Sequence, residues 1–296
     1  ITELPQSIVF LGGGVISAEI GQALARVGSS VTIIDRNPRL LKAADEEISE
    51  LAMEIMREEG IDIRTNAEVV LCEQESNGKI KINLIENGQE REMRANSIFA
   101  ALGRVPNIKG LDLEQAGVTY TDRGIQVNPF LQTSSPNIYA CGDVASPAKF
   151  THMADYQAKI CIDNILSGNH LKNDLTLVPW AIFMEPEIGH IGISEAEARR
   201  KFDDINVFKL PTETVNRFTT ESDTVGFIKI IMDKNDVILG ADAIGAHAGE
   251  WIQFFTLAIK QKLPLEAISE TIFIYPTFSQ IANKAAEKYL RAKKYG

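Results

Sequence analysis

The stretch Ser7-Ile8-Val9-Phe10-Leu11-Gly12-Gly13-Gly14-Val15-Ile16-Ser17-Ala18-Glu19 decides the fold. After Ser7 the run is apolar, as a buried strand requires, and it passes directly into three glycines. Residues 15–27 then carry apolar side chains at helical spacing and stop at Gly28, a residue suited to helix termini. A second apolar run, 31–34, ends on Asp35. Strand, glycine turn, helix and strand form a βαβ unit, and the short connections imply a parallel sheet. Another helix fits 45–59, with Ile48, Leu51, Ile55 and Met56 on one face. Gly60 ends it ahead of a third strand at 61–64.

Beyond this unit the texture changes. Runs 69–73, 79–86 and 90–94 alternate in polarity and are separated by Asn77-Gly78 and Asn87-Gly88, the strongest short hairpin signal. They predict an antiparallel three-stranded meander that returns to the parallel sheet at 97–101. Residues 103–166 are rich in loops and prolines, with one strand expected at 137–141 and one helix at 152–166. From 178 onward, antiparallel strands are predicted at 178–184, 188–193, 207–210, 227–233 and 237–244, with helices at 194–201, 249–262 and 278–293. The fold class is therefore α/β, with an additional α+β domain. The sequence contains no internal repeat.

A length of 296 residues allows about two domains at roughly 150 residues each. Hydrophobic residues at 45% and charged residues at 24% exclude a disordered or fibrous chain. Apolar runs such as 8–11 and 98–102 fall far short of the ~20 residues of a membrane helix. With 30 basic and 40 acidic residues the net charge is −10, and no basic stripe suggests nucleic acid as a partner. The cysteines Cys72, Cys141 and Cys161 lack CxxC spacing and are odd in number, which points to a reducing, cytoplasmic setting. Cys141 reads as a small buried hydrophobe and not as a redox centre. His152, His170, His190 and His247 show no metal-ligand spacing, so no metal is expected.

Gly12-x-Gly14-x-x-Ser17 lies where a dinucleotide fingerprint must lie, after a strand and at the opening of a helix. The first glycine permits the turn, the second admits a pyrophosphate to the backbone, and the third position needs a small residue. Asp35, 23 residues after Gly12, ends the second strand, where an acid can bond the adenosine ribose hydroxyls. Its carboxylate would repel a 2′-phosphate, which favours NAD over NADP. Arg36 either offsets this or is a solvated surface charge.

From here the residues resemble a family. Gly12-Gly13-Gly14-Val15-Ile16-Ser17-Ala18-Glu19 resembles the NAD(P) motif of the flavoprotein pyridine nucleotide-disulfide oxidoreductases, which include dihydrolipoamide dehydrogenase, glutathione reductase and mercuric reductase. Residues 101–107, with Gly103 and Arg104, look like their A-T-G-R-x-P-N segment, Leu102 replacing Thr. Residues 133–143, closing on Gly142-Asp143, are similar to their second FAD motif, whose Asp bonds the flavin ribityl chain. Thr151-His152-Met153-Ala154 resembles the start of the helix that points at the flavin, and residues 178–194 look like the opening of the dimerisation domain. The resemblance implies a Rossmann-like NAD(P)-binding domain with a meander insertion (1–102), the C-terminal part of an FAD domain (103–172) and an interface domain (173–296) that forms a homodimer. It places Glu19 near the nicotinamide, although a carboxylate in the first helical turn is also explained by the helix dipole. Asp143 is expected in a dry pocket.

Two departures qualify the resemblance. The family opens with an FAD-binding βαβ unit and a C-x4-C pair, and neither occurs here, so the bare Ile1 start reads as a cut edge. FAD is then implied for the complete protein, with its N-terminal half as a partner. This chain alone is expected not to complete the reaction. The family's His-Pro-T-x-S-E stretch reads Tyr275-Pro276-Thr277-Phe278-Ser279-Gln280. A tyrosine titrates near ~10, far from the range suited to shuttling protons to thiols. Tyr275 therefore either occupies the acceptor site or serves as an interface aromatic, alongside Trp251 and Phe254. The leading expectation is the NAD(P)H-binding and dimerising portion of an FAD-dependent oxidoreductase acting on a disulfide or metal-type acceptor. The alternatives are a non-catalytic dinucleotide-binding redox sensor or scaffold, and a flavin-independent dehydrogenase.

Overall fold

Strand β1 (Ser7–Leu11) is a buried run whose side chains alternate between two environments. In this computed structural model, which describes residues 3–295, it pairs in parallel with β2 (Ser30–Ile34) on one side and β7 (Ser97–Ala100) on the other. With β3 (Asp62–Arg64) the sheet runs in the order β3-β2-β1-β7. Helix α1 (Val15–Arg26) and helix α2 (Glu46–Glu58) supply its crossovers. Ile8, Phe10, Val31 and Ile33 join a core with Ile48, Ala52 and Met56 of α2. Val9 and Ile34 instead pack on Ala67, Ile82, Leu84 and Ala95 of a meander, β4 (Ala67–Gln74), β5 (Ile80–Glu86) and β6 (Gln89–Ala95). The meander follows the Asn-Gly turns, with Asn87 at φ 50° and Gly78 and Gly88 also at positive φ.

Residues 103–178 form a second compact unit, and the remainder of the chain forms the first. The second unit holds the short hairpin β8 (Tyr120–Thr121) and β9 (Gly124–Ile125), and α3 (Thr151–Ser167). The strand expected at 137–141 does not form. Its one ladder contact is a bridge from Tyr139 to Gln132, because no neighbouring strand is available to pair with.

The rest of the first unit is an antiparallel sheet ordered β10-β11-β14-β13-β12. Its strands are β10 (Trp180–Ile182), β11 (Glu187–Gly192), β12 (Ile205–Pro211), β13 (Phe227–Asp233) and β14 (Ile238–Gly245). Helix α4 (Glu195–Lys201) begins at a capping box built by Ser194 and Glu197. Helix α5 (Asn216–Glu221) follows β12 and was not anticipated from sequence. The helix expected over 249–262 divides into α6 (Ala248–Trp251) and α7 (Phe254–Lys260). Helices α8 (Leu265–Ser269) and α9 (Gln280–Tyr295) complete the chain.

A polar row crosses the middle of this sheet. Directly opposed positions are Trp180 with His190, His190 with Asp242, Asp242 with Lys229, and Lys229 with Lys209. His190 stacks on Trp180, and its Nδ1 lies 2.7 Å from Asp242 Oδ1. The other Asp242 oxygen is buried and makes no hydrogen bond, and burial raises the carboxyl's pKa. Lys229 is 4% exposed, and its ammonium lies 2.9 and 3.0 Å from the two Asp45 oxygens, 2.8 Å from Glu47 and 3.2 Å from Glu195. Burial alone would lower its pKa, but hydrogen bonds to Glu47 and Asp45 outweigh that and raise it. Asp45 is also the N-cap of α2, accepting the Glu47 amide.

Replacing Lys229 leaves three carboxylates converging on a void. Lys229→Ala is expected to destabilise the first unit by about 3–5 kcal/mol, the usual result of removing one partner of a buried ion cluster. Thermal unfolding followed by circular dichroism measures this. A melting midpoint within a degree of wild type would refute the assignment.

Candidate functional site: the glycine turn and the Asp35 carboxylate

The three glycines of the turn do different work. Gly12 adopts φ +98°, and a Cβ there would lie 2.7 Å from the Ala101 carbonyl oxygen, so close approach to β7 requires glycine. At Gly13 a Cβ would fall 2.3 Å from Leu40 Cδ2. Gly14 differs: its φ is −84°, and a Cβ would meet nothing within 4 Å. The protein leaves that space open, directly at the start of α1.

Helix α1 begins without a side-chain cap and without an acidic residue in its first turn. Its leading N–H groups are thus the unpartnered donors of a helix terminus, where the dipole favours an anion. Val15 and Ile16 are exposed beside the turn. Ser17 is fully buried and its hydroxyl donates to the Gly12 carbonyl, so it fills the third fingerprint position and also ties helix to turn.

Asp35 follows β2 at the carboxyl end of the sheet. Its Oδ2 accepts the Gly13 amide, and its Oδ1 accepts the Asn37 amide and side chain, each at 2.7 Å. The carboxylate is partly exposed and retains lone pairs for further donors. Arg36 is exposed. Open space at Gly14, uncapped amides and a half-satisfied carboxylate suit a dinucleotide: pyrophosphate on the amides, ribose hydroxyls on Asp35.

Of the two accounts of Glu19, the helix-dipole one fails. The residue sits in the second turn of α1, so the dipole account of a first-turn acid does not apply. Its Oε1 accepts the Phe183 amide at 2.7 Å, and Gln22, one turn on, bonds both the amide and the carbonyl of Glu185 at 2.7 Å. Sequence reading missed Gln22, whose buried amide carries no motif.

In the second unit, Gly103 has φ +114°, and Arg104 Nη1 lies 2.8 Å from Asp143 Oδ2. The Asp143 side chain is 46% exposed, not in a dry pocket. Gly142 has φ +73° and donates to Gln157 of α3 at 2.8 Å. Met153 is buried, Ala154 faces Gly142, and His152 stacks on Phe150. One Asp143 oxygen is thus held by Arg104, which leaves the other able to accept a hydroxyl. Tyr275, 66% exposed, takes the Asn216 side-chain amide on its hydroxyl oxygen at 2.9 Å. Among the described residues no helix is long and apolar enough to cross a membrane.

The family profile described as "Pyridine nucleotide-disulphide oxidoreductase" matches residues 1–158, and that of its dimerisation domain matches residues 178–286. A dihydrolipoyl dehydrogenase of Thermus scotoductus is 34% identical over 96% of this chain and 62% of its own length. A mercuric reductase of Staphylococcus aureus is 35% identical over 97% of this chain and 52% of its own. The Cu(II) complex of the HOCl-induced flavoprotein disulfide reductase RclA from Escherichia coli superimposes with a TM-score of 0.90 at 29% identity, covering 97% of this chain and 65% of that one. The chain thus spans less than two thirds of the length of these relatives.

The contrast between Gly14 and Gly12 is testable. Gly14→Ala should cost the fold less than about 1 kcal/mol, the penalty of a poorer N-cap, while weakening NADH binding at least tenfold, because the methyl enters space that the protein itself leaves open. Gly12→Ala should instead destabilise the fold by about 1–3 kcal/mol, since its conformation is strained for any other residue. Titration calorimetry and thermal melts of the two variants measure both effects, and equal behaviour would refute the division.

Proposed function

The chain belongs to the pyridine nucleotide-disulphide oxidoreductase family, and from that premise we propose that it is the NAD(P)H-binding and dimerising portion of an FAD-dependent oxidoreductase. The observation that carries this reading is the open cradle at Gly14 beside the Asp35 carboxylate. In the complete protein, reduced nicotinamide supplies hydride, and a bound flavin relays the electrons to a disulfide or metal-type acceptor.

The chain's own residues then take these roles. Gly12 and Ser17 fix the turn, the α1 amides hold the pyrophosphate, and Asp35 accepts the adenosine ribose hydroxyls. NAD is the preferred dinucleotide, because a 2′-phosphate beside Asp35 would be repelled, and exposed Arg36 is free to remain in solvent. Glu19, on the same helix one turn deeper, positions α1 against the segment at Phe183 and faces the nicotinamide end. Gly103, Arg104, Gly142, Asp143, His152, Met153 and Ala154 belong to the returning part of the flavin domain, with Asp143 as the hydroxyl acceptor. Domain limits of 1–102, 103–172 and 173–296 follow from these roles.

Exposed Phe183, Leu257, Ile272 and Ile274 form the apolar material of a homodimer interface, with Ile272 at 97% exposure. Tyr275 stands among them. Its oxygen accepts from Asn216, so its own O–H remains available to a group across the interface.

Two measurements check the proposal. In thermal-shift titrations NADH should stabilise the chain at about tenfold lower concentration than NADPH, and Asp35→Asn should weaken NADH by about 1–2 kcal/mol, as loss of a charged acceptor does. Equal response to the two dinucleotides would overturn the role given to Asp35. The purified chain should carry no visible flavin absorbance, and stoichiometric flavin would overturn the reading that its flavin site is incomplete.

A further inference from the structure

Cys141 and Cys161 stand twenty positions apart in sequence and meet in the second unit. Cys161 is 6% exposed and belongs to the small buried cluster with Leu131 and Ile160, and half-buried Cys141 packs against that cluster. The packing of Cys141 on this cluster brings its thiol close enough to Cys161 to influence it. Neither is in a disulfide.

The backbone around them is clamped on both sides. Gln157, one helical turn before Cys161, holds the amide of Gly142, the residue after Cys141, at 2.8 Å. Asn164, three residues after Cys161, bonds the carbonyls of Phe130 and Leu171 at 3.0 and 2.9 Å and accepts the Leu171 amide at 2.9 Å. Both amide side chains are essentially fully buried. The Gln157 bond thus holds the backbone beside Cys141 against the helix that carries Cys161, which keeps the two residues near each other.

We propose that Cys141 and Cys161 are a modification site, a dithiol that a hydroperoxide converts to an intrachain disulfide. The site is separate from the dinucleotide turn and does not rest on the function proposed above. Cys141, the more accessible, reacts first. Its sulfur attacks one oxygen of hydrogen peroxide, the O–O bond breaks, and hydroxide leaves as water with the thiol proton, giving a sulfenic acid. The Cys161 sulfur then attacks that sulfur, the S–S bond forms, and the sulfenic hydroxyl departs as a second water with the Cys161 proton. Two thiols lose two electrons and one peroxide becomes two waters. A dithiol reductant reverses the step by exchange and is itself oxidised to a disulfide. Burial, with Cys141 beside it, pushes the Cys161 thiol up to about 11, which disfavours it as the first attacker; its later attack relies on proximity to the Cys141 sulfur.

The test treats the folded 296-residue chain with hydrogen peroxide, blocks remaining thiols with N-ethylmaleimide after denaturation, and digests with trypsin. Cleavage after Arg123, Lys149, Lys159 and Lys172 puts Cys141 in peptide 124–149 and Cys161 in peptide 160–172. The expected result is a linked pair of these peptides and a fall from three alkylatable thiols to one, restored by dithiothreitol. Cys72→Ser should leave the link intact, since Cys72 is exposed on β4. Cys161→Ser should leave a sulfenic acid on Cys141 that dimedone traps. The wild-type digest decides the matter even if a variant misfolds. Three thiols surviving oxidation, sulfinic acid on Cys141 with Cys161 still alkylatable, or links through Cys72 alone would each overturn the proposal.

Discussion

The contact between the Lys229 ammonium and Asp45 joins residues 184 positions apart, and the glycine turn after β1 depends on it. Asp45 caps α2, so its position sets where that helix begins. From the first turns of the helix, the Ser49 hydroxyl donates to the Leu40 carbonyl at 2.6 Å, and the Leu41 amide donates to the Gly13 carbonyl at 2.7 Å. Leu40 also occupies the space that a side chain at Gly13 would need. A cation buried in the antiparallel sheet thereby braces, through one helix terminus and two leucines, the glycine turn after β1. The shared core carries the same message: Ile182, Ile188, Phe227 and Ile244 pack in one cluster with Phe10, Ile33 and Met56. This is why the parallel-sheet region and the strands after Pro179 form one unit.

Much of this was legible in the sequence where a local rule governs. The β1-turn-α1-β2 unit follows from alternation, three glycines and helical spacing, and the meander from two Asn-Gly pairs whose residues take positive φ. Residues 137–141 were misread because an apolar run becomes a strand only when a neighbour pairs with it, and only Tyr139 finds one. The helix over 249–262 was overextended across the break between Trp251 and Phe254, where the aromatic side chains of α6 and α7 turn into different clusters. Lys229, His190 and Asp242 left no signal at all. Each sits inside an otherwise apolar strand, and its partner is fixed by register across the sheet, a long-range property.

Asp35 shows how one residue can serve fold and ligand together. A carboxylate at the end of β2 was expected for its ribose chemistry, yet three protein N–H groups already bind it. Those bonds hold it beside Gly13 whether or not a ligand is present. Gly14 contributes nothing comparable to the fold, since its missing side chain relieves no contact within the protein. A glycine with ordinary φ and empty space around it is explained by something outside the chain, whereas Gly12 is explained by the chain itself.

The second unit is specified in a different way. Its buried apolar cluster is small, centred on Leu131, Ile160 and Cys161, while Ile162, Ile165 and Leu166 of α3 are exposed. Buried amides take over the organising role: Gln157 fixes the Gly142 turn, and Asn164 satisfies groups from Phe130 to Leu171. Each such bond contributes only about 1 kcal/mol net, but leaving its backbone partner unsatisfied would cost more, so the arrangement is specific. Hydrophobic periodicity cannot report polar clamps of this kind. Motif residues such as Gly142 and Asp143 could therefore be recognised in sequence while their surroundings could not. Asp143 emerged half-exposed on Arg104, and two cysteines distant in sequence emerged side by side.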